Sequence, residues 1–352
     1  METFEIEYDN PTRVYAPGER VTGKVIIRNS HSLNALSLKV CIHGEAHNFW
    51  RKFENKGKFD KNGRWYTFSE HINYDSRIMY LNGVAKPWSS LDGTNKIPCG
   101  VNIFPFVFQL PLNCPPSFEG SHGSIRYSVH VELDRPWRFN ADTKKVFSVI
   151  PCTDLNTIPK AVNPMIAHAC KHSGFLGNRE VKMKVNIPKR GFIAGELIPI
   201  HIQITNHSKK PINEAKAQLI QHVHYSAQRA HSHLFPQEHC EKHCEHKTAR
   251  TVMAEIEKSV RVECCTDVRV DLVLVVPQPL TPSFHIPILD VDYVVSVEMG
   301  EKLKCEFPLI IGSVPVSQMV SIVPPPAFVG SSRDPEKSHL GQLLTLPYSL
   351  FR

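Results

Sequence analysis

One pattern occurs twice in the chain, 177 positions apart (195 − 18). GERVTGKVIIRN spans residues 18–29, and GELIPIHIQITN spans residues 195–206. In both segments a Gly-Glu pair leads into alternating apolar and polar residues, and both segments end at Asn. Alternation with a period of two predicts a half-buried β-strand, because successive side chains of a strand point to opposite faces. The chain is therefore expected to contain a duplicated β-structure.

A second pair of segments supports the duplication. PSF at 116–118 recurs at 282–284, and YSVHVEL at 127–133 aligns with YVVSVEM at 293–299, both at an offset of 166 (282 − 116). The offset shrinks between the two pairs because loops vary in length more readily than strands. A single amphipathic sheet would leave its apolar face in water, so two sheets must stack in each copy. The sequence predicts an all-β protein of two tandem immunoglobulin-like antiparallel β-sandwiches.

Composition agrees with this fold and limits the partners. The 352 residues include 27 prolines, and the net charge of +7 (41 − 34) is spread along the chain, so nucleic acid is not an expected partner. The first ten residues, METFEIEYDN, have no apolar core of a signal peptide, and no run of 18 apolar residues occurs. A cytoplasmic protein with reduced cysteines is expected.

Proline and glycine positions indicate the boundaries of the two copies. An N-terminal sandwich is expected over residues 1–155 and a C-terminal sandwich over residues 179–316, joined by a short linker over 156–178. The remaining segment, 317–352, is rich in Pro and Ser and lacks sustained periodicity. It is predicted to be a flexible, disordered tail.

Several segments resemble one protein family. SFEGSHGSIRYSVHVELDRPW at 117–137 is similar to the signature of the arrestin family, specifically its arrestin-domain-containing or α-arrestin branch. Residues 4–29 resemble the opening strands of the family's first domain, residues 187–206 the beginning of its second, and residues 307–316 its last strand. The likeness covers about residues 1–316, and it implies two similar β-sandwiches joined by a short hinge.

The resemblance also implies a non-enzymatic adaptor. Such proteins bind cytoplasmic parts of membrane receptors or transporters and link them to ubiquitin-ligase or endocytic machinery. They associate peripherally with the plasma membrane and endosomes. The sequence is compatible with this role, since it contains no P-loop, G-x-G-x-x-G, G-x-S-x-G or H-E-x-x-H motif. A retromer-like subunit of an endosomal coat, which has a related double sandwich, is the alternative.

Two short motifs in the tail are candidate partner-binding sites. Relatives recruit HECT-type ubiquitin ligases when a PPxY motif docks on a WW domain as a polyproline II segment. Here Pro325 and Pro326 are followed by Phe328 in place of the Tyr, so the hydroxyl is missing. Tyr348 and Phe351 fit a Tyr-x-x-apolar signal that binds clathrin adaptors as an added strand. A Pro-rich exit from the last strand and a simple apolar tail are the alternatives.

A His- and Cys-rich segment, HSHLFPQEHCEKHCEHK, occupies residues 231–247. His239 and His243 are four residues apart, as are Cys240 and Cys244, a spacing at which one helical turn can direct both members of a pair at one Zn²⁺. Cys240, Cys244, His239 and His243 are therefore the candidate metal ligands, and a zinc-binding signalling scaffold is a further alternative. The alternative is a long, solvated loop that happens to be rich in His. No other cofactor is expected.

Overall fold

Each copy of the repeat forms a stack of two β-sheets. The computed structural model describes residues 2–90, 95–137, 139–173, 179–230, 244–300 and 303–317. The strands of the N-terminal copy are β1 Thr3–Tyr8, β2 Val14–Tyr15, β3 Arg20–Asn29, β4 Leu33–Asn34, β5 Ser37–Phe59, β6 Trp65–Ser89, β7 Lys96–Ile97, β8 Gly100–Gln109, β9 Phe118–Glu119, β10 Gly123–Asp134 and β11 Ala141–Val149. Two short 3₁₀ helices, Leu155–Thr157 and Pro159–Val162, follow. The strands of the C-terminal copy are β12 Met165–Ser173, β13 Arg179–Ile187, β14 Gly191–Ile193, β15 Leu197–Asn206, β16 Ile212–Arg229, β17 Cys244–Val262, β18 Thr266–Val275, β19 Phe284–Ile286, β20 Leu289–Met299 and β21 Leu303–Gly312.

In each copy a small sheet packs on part of a longer sheet. The small sheets have the strand orders β1-β3-β8 and β12-β13-β15-β18. The long sheet has twelve strands within the described residues and runs through both copies, along β14-β21-β20-β16-β6-β5-β10-β11-β2. The prediction of two tandem β-sandwiches is confirmed. At two edges of the described sheets, β2 with β11 and β14 with β21, the strands pair in parallel, which the predicted antiparallel pattern did not include.

The alternating apolar side chains of the repeat fill the space between the sheets. Val21, Val25 and Ile27 of β3 are 0% exposed, as are Ile198 and Ile200 of β15. Burial of each such side chain contributes about 1.5–3 kcal/mol to folding. The polar residues Thr22 and Lys24 between them are half-buried, as on the solvent-facing side of a strand, whereas Ile26 is buried on that side as well.

The Gly-Glu pair of each copy forms the same turn. The glycine adopts a positive φ, +83° in the first copy and +85° in the second, which side chains rarely tolerate. The following glutamate then bonds back to the turn: Glu19 Oε2 accepts from the Ala16 amide at 2.8 Å, and Glu196 Oε2 accepts from the Ile193 amide at 3.0 Å. The pair recurs because the turn needs both residues before the strand can begin.

The asparagine that ends each repeated strand is buried. Asn29 is 3% exposed and Asn206 is 0% exposed. Asn29 Nδ2 donates to the Pro98 carbonyl at 2.9 Å. Asn206 Nδ2 donates to the carbonyls of Lys210 and Val262 at 2.9 and 3.2 Å. A buried side-chain amide without an acceptor is costly, so these hydrogen bonds satisfy the two asparagines and attach each strand end to the neighbouring backbone.

A buried tyrosine fixes the same corner in both copies. Tyr127 Oη donates to the Pro115 carbonyl at 2.8 Å, and Tyr293 Oη donates to the Thr281 carbonyl at 2.6 Å, each twelve residues upstream. Burial raises the pKa of Tyr293 to about 12 and raises that of Tyr127 as well. Both hydroxyls therefore remain protonated donors throughout the ordinary pH range.

The predicted linker contains regular structure. Residues 156–178 include most of the two 3₁₀ helices and all of β12, which pairs with β13 from Met165↔Ile187 to Ser173↔Arg179. The prolines and glycines of this segment suggested a connector, but Met165 faces the core and the residues after it alternate. The described residues include no helix that is both long and apolar enough to cross a membrane.

We expect Tyr127→Phe to lower the free energy of unfolding by about 1–3 kcal/mol, because the Pro115 carbonyl would stay buried without its donor. Urea unfolding of the full chain measures this loss. Tyr66→Phe is the matched control, since Tyr66 is 40% exposed and its hydroxyl is not needed for packing. Equal effects of the two substitutions would contradict the stabilising role assigned to the Tyr127–Pro115 hydrogen bond.

Candidate functional site: an exposed hairpin arm

Strands β5 and β6 continue well past the strands beside them. Residues 51–73, here called the hairpin arm, pair with each other from Arg51↔Asn73 to Phe59↔Trp65 and with no third strand of the described chain. Apart from Ile72, every residue of the arm is exposed or half-buried. The arm therefore offers two solvent-facing surfaces, unlike the core strands.

The sequence Asp60-Lys61-Asn62-Gly63-Arg64 turns the chain at the tip of the arm. Asp60 Oδ1 accepts hydrogen bonds from the amides of Asn62 and Arg64, both at 2.8 Å. Gly63 has a φ of +77°, as the left-handed position of such a turn requires. The local sequence thus favours the hairpin without help from tertiary contacts.

One face of the arm is aromatic and carries no Lys, Arg, Asp or Glu between Phe53 and His71. Phe53, Phe59 and Trp65 are 68%, 66% and 55% exposed. Phe59 and Trp65 meet edge to face with ring centroids 4.8 Å apart, and Phe53 lies 4.4 Å from the His71 ring. Gly57 leaves room for Trp65, since a Cβ there would lie 1.9 Å from the indole. Large exposed aromatic rings in a row mark a binding surface.

The opposite face of the arm is basic. Lys58 Nζ lies 5.5 and 5.2 Å from the ring centroids of Tyr66 and Phe68, within the range of cation–π attraction. Lys56 forms an ion pair with Glu70, and this hydrogen bond lowers the pKa of the Glu70 carboxyl. Across the arm, six Lys and Arg residues stand against three Asp and Glu residues. The arm therefore combines an uncharged aromatic face with a net positive one.

The base of the arm is attached to the C-terminal sandwich. Lys52 Nζ lies 3.1 Å from Glu245 Oε2, and Lys247 Nζ lies over the Trp50 ring at 5.6 Å from its centroid. Trp50 stacks on Tyr74 with centroids 5.9 Å apart. Burial raises the pKa of Tyr74 to about 12, helped by its hydrogen bond to Glu245. These contacts fix the direction in which the arm leaves the body.

A buried amide connects the two sandwiches beside this base. Asn48 is 0% exposed, and its Nδ2 donates to the carbonyls of Ser226 at 3.0 Å and Ile288 at 2.5 Å. His122 packs edge to face on Tyr225 with centroids 5.5 Å apart. The surroundings of His122 are apolar and close to Lys247. Burial, followed by the charge of that lysine, lowers the pKa of the imidazole.

A cleft of about 490 Å³ lies between the sandwiches near this junction. Its two charged side chains bind each other: Arg126 Nε and Nη2 donate to the two Glu119 carboxylate oxygens at 2.6 and 2.7 Å. Tyr127 in its wall bonds the Pro115 carbonyl. The charged groups that line the cleft are thus engaged with each other.

The predicted site residues fall mostly outside the described part of the chain. Cys244 is the first residue of β17, with Sγ 2.9 Å from Ser226 Oγ, so it lies in extended backbone rather than in a helical turn. The other predicted site residues lie outside the described part of the chain: His239, Cys240, His243, Pro325, Pro326, Phe328, Tyr348 and Phe351. Zinc binding by His239, Cys240, His243 and Cys244 stays a prediction, and so does partner binding by the residues of the tail.

Sequence reasoning did not identify the hairpin arm as a site. Its signal was present in WRKFENKGKFDKNGRWYTF, residues 50–68, where aromatic residues and lysines alternate around Asn62-Gly63. Asn-Gly between alternating segments predicts a hairpin turn. The pattern does not say whether a face is covered, so the exposure of the arm emerges only from the three-dimensional structure.

We expect the protein to lose stability as the pH falls from about 7.5 to 5.5. The pKa of His122 is lowered in the folded state, so the unfolded chain binds more protons below the ordinary pKa of 6.5. His122→Gln removes this term and should make the free energy of unfolding less dependent on pH. Urea unfolding at several pH values across this range measures the free energy of unfolding. His207→Gln is the control, because His207 lies on an exposed loop. Unchanged dependence in His122→Gln would contradict the assignment.

Comparison with known proteins agrees with the fold. The family model of the arrestin (or S-antigen) N-terminal domain matches residues 4–156, and that of the C-terminal domain matches residues 178–316. Arrestin domain-containing protein 17 of Caenorhabditis elegans is 27% identical over 336 residues, covering 91% of this chain and 72% of the relative. Mouse arrestin domain-containing protein 4 is 28% identical over 317 residues, covering 88% and 71%.

Human arrestin domain-containing protein 1 is 28% identical over 233 residues, covering 65% of this chain and 49% of the relative. The match thus spans about half the length of that human protein. Both halves of the β-structure match arrestin domains, in the order in which the repeat places them. The chain therefore belongs to the arrestin family, in its arrestin-domain-containing branch.

Proposed function

We propose that this protein is an adaptor that binds cytoplasmic segments of membrane receptors or transporters and links them to ubiquitin-ligase or endocytic machinery. Arrestin-family proteins are generally non-enzymatic adaptors, which supports the class of function. The protein acts in the cytoplasm and is recruited to the plasma membrane and endosomes.

The hairpin arm is the observation that carries this proposal. Its aromatic face exposes Phe53, Phe59 and Trp65 without any neighbouring charge to solvate, which suits an apolar surface on cargo. Its basic face, with Lys56 and Lys58, suits the anionic headgroups of the cytoplasmic leaflet. A cargo segment close to the membrane places an apolar protein surface beside anionic lipid headgroups. The aromatic face of the arm would contact the cargo and the basic face the headgroups.

The tail supplies the second half of the proposed activity. Pro325, Pro326 and Phe328 would dock on the WW domain of a HECT-type ligase as a polyproline II segment. Tyr348 and Phe351 would fill two pockets of a clathrin adaptor while the segment adds to a sheet edge. The sequence patterns support these roles, and the positions lie outside the described residues.

Substituting the arm should block cargo removal from the cell surface. In cells that lack the protein, we expect wild-type chain to reduce the surface level of a defined set of membrane proteins. Phe59→Ser with Trp65→Ser should fail to do so, because two exposed anchor rings are lost. Surface biotinylation with quantitative mass spectrometry measures the effect.

Val273→Ser with Val275→Ser is the matched control, since these side chains are 46% and 52% exposed on β18 of the other sandwich. It should behave as wild type. Identical surface proteomes with and without the wild-type protein would overturn the adaptor proposal. Normal activity of the arm variant would instead exclude the arm as the docking surface.

Restoring the tyrosine hydroxyl in the tail should strengthen ligase binding. We expect Phe328→Tyr to improve the affinity of the full chain for the WW domains of a HECT-type ligase about fivefold, the equivalent of one added hydrogen bond of about 1 kcal/mol. Isothermal titration calorimetry measures this change. Pro325→Ala with Pro326→Ala should abolish binding, and WW binding that survives this double substitution would exclude the site. Cargo removal that is unaffected by any tail substitution would favour a coat-subunit role.

A further inference from the structure

Three side chains with metal-binding groups converge on the outer surface of the β12–β13 pair. Cys170 and His172 are two residues apart on β12 and therefore point to the same side of the strand. Glu180 of β13 is the cross-strand partner of His172. Cys170 and His172 are exposed, and Glu180 is half-buried. Strand pairing thus brings together residues from both sides of a hairpin.

The distances among the three donor atoms match a single small metal ion. Cys170 Sγ lies 3.5 Å from His172 Nε2 and 2.8 Å from Glu180 Oε1, and the latter two atoms are 3.8 Å apart. The circle through these three atoms has a radius of about 2.0 Å, while zinc bonds to nitrogen, oxygen and sulfur measure about 2.0–2.3 Å. An ion can therefore reach all three donors after side-chain movements of less than about 1 Å, chiefly a widening of the Sγ–Oε1 distance toward the roughly 3.5 Å that tetrahedral bonds of these lengths require.

The hydrogen bonds of the cluster join the same atoms that would bind the ion. The Cys170 thiol donates to Glu180 Oε1, and this bond raises the pKa of the thiol. Lys182 Nζ holds the other carboxylate oxygen, Oε2, at 2.6 Å, so Oε1 stays directed at Cys170. An arriving ion would take the place of the thiol proton, which passes to solvent as the sulfur–metal bond forms.

We propose that Cys170 Sγ, His172 Nε2 and Glu180 Oε1 bind one Zn²⁺, with the fourth tetrahedral position open to water. Thiolate, imidazole and carboxylate are all established zinc ligands, and the soft sulfur selects against Mg²⁺ and Ca²⁺. The exposed position makes the ion exchangeable and leaves room for an external donor. This site is separate from the His- and Cys-rich segment at 231–247 and does not depend on the proposed adaptor function.

The test uses the full chain with the other candidate ligands removed. That background protein carries the substitutions His239→Ala, Cys240→Ser, His243→Ala and Cys244→Ser. After treatment with a chelator, we expect it to bind one equivalent of Zn²⁺ in isothermal titration calorimetry. In the same background, Cys170→Ser or His172→Ala should weaken binding at least about tenfold, since even outer-shell partners of a metal site are worth 10–100-fold.

Cys152→Ser is the matched control, because Cys152 is also an exposed free cysteine and lies outside the cluster. It should bind Zn²⁺ as the background protein does. Co²⁺ provides a second readout, since a cobalt–thiolate bond gives a charge-transfer absorption that Cys170→Ser should abolish. Absence of Zn²⁺ uptake by the background protein would overturn the proposal. So would uptake that Cys170→Ser leaves unchanged.

Discussion

The pairing of β6 with β16 joins the two sandwiches into one body, and the arrangement of the rest depends on it. The strands meet at Gln228↔Asp75 and Arg229↔Tyr74, where the long sheet crosses from one copy of the repeat to the other. The Asn48 amide reinforces this crossing by donating to Ser226 and Ile288 of the second copy. The amide is buried, so a substitution that removed it would leave the carbonyls of Ser226 and Ile288 without this donor in a site shielded from water. The base of the hairpin arm stands on this crossing.

Duplication explains why the same turn, asparagine and tyrosine recur in both copies, and divergence explains why the long hairpins differ. The Gly-Glu turn, the buried asparagine and the tyrosine corner occur in both copies with nearly the same hydrogen bonds. The copies differ in their long hairpins. In the first copy the β5–β6 hairpin extends into the arm, while in the second the β16–β17 hairpin leads into the His- and Cys-rich segment. The shared devices stabilise both copies, whereas the hairpin arm and the His- and Cys-rich segment each belong to one copy.

Patterns local to one strand could be predicted from the sequence, whereas placements that depend on pairing could not. The alternation at Val21 and Ile198 predicted buried strands, and both side chains are fully buried. β12 was missed because Pro164 and Gly174 outweighed a short alternation in a segment read as a linker. Cys170 and Glu180 are ten residues apart, and only the register of the β12–β13 hairpin brings them together. The exposure of the arm could likewise be recognised only from the pairing of the described strands, none of which covers it.

Continuity of the long sheet has a mechanical consequence for the arm. A force applied at the aromatic tip passes down β6 to Tyr74 and Asp75, and from there through backbone hydrogen bonds into β16. Along this route there is covalent chain or strand ladder at every step, with the Lys52–Glu245 contact acting as a brace on the side. A load at the tip thus reaches the C-terminal sandwich as shear on the two β6–β16 residue pairs. Tilting of the arm is therefore coupled to twisting of one sandwich against the other.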